Sequence, residues 1–335
     1  MKKLFAFILA LAMCLGMAAC SGGDGQNSAK ADGPSGTVTV YTSVPQDLAD
    51  NFKSNFENKY PDVTVNIYRA TAGEVLTKIK TEAEGGQVSG DIVWVADFSS
   101  AESLKELGLL EKYTSTEDAA IDASLKDAEG YYYGSRIITM VLAYNTMMLE
   151  KAPTSWNDLL SAELSGKVGL PSTSSGSAFQ FIGVMSENAE FGWDYFEALK
   201  ENGSMQFKSN SDVLQRIATS EIWAGPVLDY MVTEMKEQGS PVDFVIPEEG
   251  AIAVASPIAK LAKCKNPELA ELFIDYTLSQ EGQQILVDLN TTPARTDVET
   301  PENVLSLADI TVMEDTKGYL TGAEEVKSAF SEIFG

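Results

Sequence analysis

The sequence predicts an α/β protein built on a parallel sheet with helices on both sides, and three observations carry that prediction. From Thr37 onward, short β-branched runs alternate with amphipathic helical stretches, the pattern of successive β-α-β units. The run Asp91-Ile92-Val93-Trp94-Val95 is almost continuously apolar, as a strand covered on both faces must be. Apolar residues make up 44% of the chain, enough to fill the cores of two domains or one large one.

Each element has its own signal. Thr37 to Tyr41 is a β-branched strand, and Leu48, Phe52 and Phe56 then recur at helical spacing between Pro45 and Tyr60, where Pro61 stops the helix. Val63 to Tyr68 alternates as a strand. Gly73 to Glu84 reads as a helix with Val75, Leu76 and Ile79 inward, ended by Gly85-Gly86. After the Asp91 strand comes a helix from Ser100 to Leu107, closed by Gly108. Tyr131-Tyr132-Tyr133-Gly134 leads into an extended run from Ile137 to Asn145. Pro153 to Leu159 looks like a capped short helix and Gly166 to Leu170 like a strand, and Pro171 to Ala178 opens a helix. Asp212 to Thr219 reads as a helix, and Glu221 to Val227 as a strand ending at Asp229-Tyr230. Ala251 to Ser256 is a strand that returns to the first domain. Helices at Asn266 to Leu278, Gln280 to Leu289 and Ala323 to Ile333 complete the chain.

The N-terminus reads as an export signal. Lys2 and Lys3 precede an apolar run from Leu4 to Met17, the small pair Ala18-Ala19, and Cys20. Residues 1–19 are the expected leader, too short to span a bilayer, which takes about 20 apolar residues. Residues 20–36 are rich in Gly, Ser and Asp and form an expected flexible leash.

Composition excludes several function classes. Loss of Lys2 and Lys3 with the leader moves the net charge from −25 to −27, which argues against nucleic acid and against docking on anionic lipid. Of the three cysteines, Cys14 leaves with the leader and Cys20 stands at the cut, so Cys264 has no partner for a disulfide. There is no histidine. That removes Ser-His-Asp and Cys-His nucleophiles, His-ligated zinc sites and the usual general base near neutral pH, and points to a binding protein instead of an enzyme.

Several motifs together resemble a known family. Met17-Ala18-Ala19-Cys20 is similar to the lipobox of bacterial lipoproteins, which implies a diacylglycerol on the Cys20 sulfur; an ordinary leader with an incidental cysteine is the other reading. Val38-Thr39-Val40-Tyr41-Thr42-Ser43, the Phe52/Phe56/Tyr60-Pro61 helix end and Asp91-Ile92-Val93-Trp94 resemble the start of type II extracytoplasmic solute-binding proteins of ABC importers. Gly130 to Gly134, Tyr144-Asn145, Pro153 to Leu159, Gly166-Lys167-Val168 and Thr173 to Ala178 fit the same pattern in the same order. They are similar to the branch that holds ferric-iron, 2-aminoethylphosphonate, sugar-phosphate and thiamine binders. The resemblance implies a periplasmic-binding-protein-like type II fold, two α/β lobes joined by two crossing strands near Ile137 to Val141 and Glu249 to Ala253. Lobe 1 would comprise 37–138 and 252–293, and lobe 2 139–251 and 294–335. It also implies a monomeric receptor at the outer face of the cell membrane that delivers a solute to the transmembrane subunits of an ABC permease.

In open α/β sheets ligands lie at the carboxyl ends of strands, where helix starts present free N–H groups. Thr42-Ser43, Thr71 to Gly73, Asp97 and the loop Ser174-Ser175-Gly176-Ser177 occupy such places. The last is the sharpest, because small residues let an oxyanion reach the backbone, and the matching loop of ferric binders holds a phosphate. Helix capping is its alternative. Asn210 could donate to the same anion, with capping by Ser211 the other reading. Arg136 is a candidate clamp for phosphate or carboxylate, or half of a salt bridge. Asp229 would suit a ligand ammonium, and Tyr230 could hydrogen-bond or stack. The expected cargo is therefore a small phosphate- or phosphonate-bearing anion, taken without a cofactor. The alternative cargo is Fe3+ on tyrosinates, for which Tyr41, Tyr133 and Tyr230 are the candidates, although Met231 stands where a second consecutive tyrosine is common in the family.

Overall fold

The computed structural model describes residues 33–306 and 310–335. The expected leader, Cys20 and most of the leash lie outside the described residues. Pro34–Gly335 form one compact unit.

The first stretch alternates as the sequence predicts. β1 (Gly36–Thr42) is followed by α1 (Gln46–Lys59), β2 (Val63–Arg69), α2 (Ala72–Glu84), β3 (Ile92–Trp94), α3 (Phe98–Glu106) and the short β4 (Leu110–Glu111). β1 pairs in parallel with both β2 and β3. The chain then enters the long β5 (Tyr132–Asn145). Next come β6 (Gly169–Pro171), α4 (Gly176–Glu187), α5 (Gly192–Glu201), β7 (Met205–Phe207), α6 (Asn210–Ala218), β8 (Ala224–Leu228), α7 (Asp229–Glu237) and β9 (Val242–Val245). The return is β10 (Ile252–Leu261), followed by α8 (Pro267–Leu278), α9 (Gln280–Asp288), β11 (Thr292–Pro293) and finally α10 (Ala323–Phe334).

β5 and β10 tie the two lobes together. They pair antiparallel from Tyr132 opposite Ala259 to Met140 opposite Ile252. Beyond Met140, β5 continues with β8 on one side and β9 on the other. One nine-stranded sheet therefore runs through both lobes. It is mixed, whereas the sequence predicts a parallel sheet, because β10 re-enters the first lobe from the second and lies antiparallel to β3. The hydrophobic cores divide the same way. Phe52, Phe56, Trp94 and Phe273 fill one face of the first lobe's sheet, with Phe52 edge-on to Trp94 at 5.0 Å between ring centroids. Tyr41, Val75, Ile79 and Leu104 fill the other. Trp156, Phe181, Phe196 and Phe330 centre the second lobe, and Val213, Ile217 and Val232 form a smaller cluster under α6 and α7.

Three local readings need correction. Asp229-Tyr230 do not end a strand; they open α7. The capped segment after Pro153 is a 3-10 turn, Trp156–Leu160, held by the Ser155 hydroxyl and the Asp158 carboxylate in a capping box. β10 does not stop at Ser256 but passes through Pro257, where a bulge absorbs the missing N–H.

Candidate functional site

The helix starts along the sheet fall into two kinds. α2 and α3 close their own N–H groups. Thr71 accepts from Glu74 N–H while the Glu74 carboxylate accepts from Thr71, and the Asp97 carboxylate accepts from Ser100 N–H at 3.0 Å. α1 and α4 do not. Pro45 and Ser175, their N-cap residues, make no side-chain cap, so the first N–H groups of both helices stay available. α1 belongs to the first lobe and α4 to the second, and both starts line one cleft of about 500 Å³ between the lobes. An uncapped helix start carries partial positive charge and unpaired donors. Two of them across one cleft make a seat for an anion.

The side chains there are mostly donors. Asn210, at the head of α6, donates from Nδ2 to Ser177 Oγ at 2.9 Å and to Ser175 Oγ at 3.1 Å. Ser43 Oγ is buried and unpartnered. α6 itself is capped by Ser209, whose hydroxyl accepts from Asp212 N–H; the capping role considered for Ser211 belongs to Ser209.

Arg136 is the centre of the site. It stands on β5 where that strand pairs with β10 and β11, and it is 2% exposed. Its Nε donates to Ser256 Oγ at 3.1 Å, while Nη1 has no partner. Its guanidinium carbon lies 6.0 Å from the Tyr230 ring centroid. Burial pulls its pKa below the ordinary value, and Tyr230, Asp229 and Asp47 pull it back up. A guanidinium keeps its charge in any protein environment. Arg136 is thus a buried cation with one donor, Nη1, left over.

The chain has four arginines. Arg216 and Arg295 are in ion pairs with Asp212, Glu221, Glu117 and Asp297. Arg69 and Arg136 line the cleft instead, and Arg69 is oriented by a bond from Nε to Val44 carbonyl at 2.9 Å. Sequence reasoning missed Arg69, although the scarcity of arginine was a usable signal.

Of the residues singled out from sequence, Ser43, Arg136, Ser175, Ser177, Asn210 and Tyr230 line this cleft. The others go elsewhere. Thr42 is fully buried, its hydroxyl donating to Trp94 carbonyl at 2.7 Å and accepting from Val44 N–H at 3.1 Å. Thr71, Gly73, Asp97, Ser174 and Gly176 face a second, open chamber of about 940 Å³. The Ser174 hydroxyl is engaged with Ser172 Oγ. Asp229 is 3% exposed and accepts from Thr139 N–H of β5 at 3.0 Å, so it is spent inside the protein and does not face a ligand. Burial pushes its pKa up to about 6, against the opposing pull of backbone N–H groups and Arg136.

The three tyrosines considered for iron do not converge. Tyr41 packs against Val75 and Ile79 and donates to the Glu82 carboxylate at 3.0 Å. Tyr133 belongs to the opposite core and donates to Asp118 at 2.9 Å. Only Tyr230 lines the cleft. Tyr132 and Tyr133, successive residues of β5, point to opposite faces of the sheet.

Known proteins share this architecture. The chain is 30% identical over 267 residues to an uncharacterized protein of Haemophilus influenzae, covering 75% of each. The periplasmic binding protein AfuA of Actinobacillus pleuropneumoniae, solved with fructose-6-phosphate, superposes with a TM-score of 0.78 at 24% identity, covering 88% of this chain and 97% of that one. Iron-bound HitA of Pseudomonas aeruginosa gives 0.79 at 24% identity, covering 90% and 99%. These likenesses establish the periplasmic binding protein type II fold. Residues 90–314 match the family described as bacterial extracellular solute-binding protein, and with an interlobe cleft already evident, the chain belongs to that family.

Proposed function

We propose that this protein is the extracytoplasmic receptor of an ABC importer, capturing a small phosphate- or phosphonate-bearing solute in the interlobe cleft and handing it to the permease unchanged. One observation carries the reading: the two arginines outside ion pairs, one of them almost wholly buried with an unpartnered Nη1, line the cleft where two uncapped helix starts meet. A buried charge without full compensation is costly, and a dianion placed between α1 and α4 supplies what is missing. Phosphoryl oxygens suit the fork of Arg136 and the hydroxyls of Ser175 and Ser177. Three exposed carboxylates, Asp47, Glu234 and Asp288, share the lining and give an ammonium or hydroxyl end of the solute a place. The fructose-6-phosphate in AfuA is an anion of the same kind.

Capture requires the lobes to close by bending at the crossing strands near Ile137 to Val141 and Glu249 to Ala253. Closure excludes water and strengthens each contact. Release follows when the permease favours the open form. The lipid on Cys20 would keep the monomer at the membrane. A thermal-shift screen tests the reading. Phosphate monoesters and phosphonates should raise the melting temperature through preferential binding to the folded state, and neutral sugars should not. Stabilisation by neutral sugars alone would overturn it.

A further inference from the structure

Beside the cleft, the lobes meet through residues that do not line it. Gly176, the first residue of α4, has its backbone pressed against Asp97 at the head of α3. A Cβ on Gly176 would lie 2.0 Å from Asp97 Oδ2 and 2.6 Å from its Cγ. Asp97 is not free to swing away. Its carboxylate accepts from Ser100 N–H and Ser100 Oγ, each at 3.0 Å, and from the Ser99 hydroxyl. Only glycine lets the two helix starts approach this closely.

A second contact stands next to it. The Phe98 ring, 7% exposed, is covered from the other lobe by Lys317, whose Nζ lies 4.6 Å from the ring centroid. Lys317 holds a left-handed backbone with φ +58, unusual for a residue with a side chain. It is kept there by a strap fastened to α4. Lys317 N–H donates to Asp315 Oδ1 at 2.9 Å, and the other Asp315 oxygen accepts from Gln180 of α4 at 2.9 Å and from the Tyr319 hydroxyl at 3.2 Å. The Tyr319 ring lies over Gly183, where a Cβ would come within 2.4 Å of it. The strap therefore moves with α4 and presents Lys317 to α3.

We propose that Asp97 against Gly176, locked by Lys317 over Phe98, is the closing latch of the two lobes. Its strength sets the population of the closed form. Apparent affinity scales with the fraction of protein in the binding-competent state, so this contact tunes solute retention: Asp97, Phe98 and Lys317 act from beside the cleft, while Gly176 also carries one of the open N–H groups of α4. The effect on affinity rests on the cleft being the binding site; the effect on closure does not.

The test uses the full chain carrying a donor–acceptor dye pair on the outer faces of the lobes. In ligand-free protein, Gly176→Ala should lengthen the interdye distance, since overpacking at this contact forces the lobes apart. The double variant Gly176→Ala with Asp97→Gly should restore the distance, because glycine still serves as an N-cap and clears the clash. Lys317→Met, exposed and retaining its apolar stem, should shift the population in the same direction as Gly176→Ala. With inorganic phosphate as the probe, Gly176→Ala should release it roughly tenfold faster or more, and Lys317→Met about two- to fivefold faster. Unchanged distances in both single variants would overturn the latch, as would failure of the double variant to restore. Wild-type protein that closes but does not bind phosphate would leave the latch standing and count against the functional reading.

Discussion

The Asn210 carboxamide donates to Ser177 Oγ at 2.9 Å and so ties the start of α6 to the start of α4. The bond lies within one lobe, at the place where the second lobe faces the cleft. It fixes the rotor of a hydroxyl that would otherwise turn freely, which is the preorganisation that an anion seat needs.

Asn210→Ala should therefore weaken binding of a phosphate monoester by about five- to thirtyfold, on the order of 1–2 kcal/mol for a lost positioning bond. Calorimetry should show the loss with little change in melting temperature. Unaltered affinity would remove Asn210 from the site.

Ser175→Asp places a carboxylate at an uncapped helix start. The helix gains a cap of the kind Asp97 provides to α3. The seat meanwhile acquires like charge. We expect a small rise in melting temperature together with a loss of anion binding beyond detection. Retained affinity would mean that the anion sits elsewhere.

Asp229 gives a signature in pH. Its carboxyl is raised from 3.8 to about 6 by burial, so between about pH 4 and about pH 6 the folded state holds a proton that the unfolded state has lost. Stability must then fall as pH rises through that window and stay lowered above it, by on the order of 3 kcal/mol. Asp229→Asn keeps an oxygen for Thr139 N–H and removes the titration. The difference in unfolding free energy between wild type and variant should grow from near zero at about pH 4 to its full value above about pH 6, the variant being the more stable. A difference independent of pH would show that Asp229 does not titrate in this range.

Much of the fold was legible because its signals are local. Phe52 and Phe56 at helical spacing, stopped before Pro61, lie on the buried face of α1, and the apolar Asp91 run does sit inside the sheet. The errors came where local and tertiary signals differ. Val227-Leu228 run straight into Asp229, and the burial of that carboxylate against β5, which fixes the start of α7, is invisible in sequence. The strand read from Ala251 to Ser256 runs on through Pro257, where a bulge in its pairing with β5 accommodates the proline. α5 escaped notice altogether, although Tyr195, Phe196 and Leu199 form its buried side.

The site was legible in kind more than in membership. Treating every strand-end loop as ligand-facing brought in Thr71 and Asp97, which spend their side chains on their own helices. Whether a helix start is closed by its own residues or left open depends on rotamers, and spacing does not record them. Arg69 was overlooked because it sits at the end of β2 with no motif around it.

Iron can be tested by eye. With Tyr41 and Tyr133 bound to carboxylates in opposite cores, protein mixed with Fe3+ should show no visible phenolate-to-metal band. A band abolished by Tyr230→Phe would reverse the assignment.

The most direct measurement is Arg136→Met, followed by calorimetry and thermal unfolding on the same sample. A buried cation with an unpartnered donor costs stability, and an apolar residue of similar length removes that cost. The same cation is the main electrostatic partner of the proposed anion, and its loss should weaken binding at least about thirtyfold. The account predicts that melting temperature rises while phosphate or phosphonate binding collapses. A variant that binds these anions as wild type does, or that loses stability and affinity together, would contradict it.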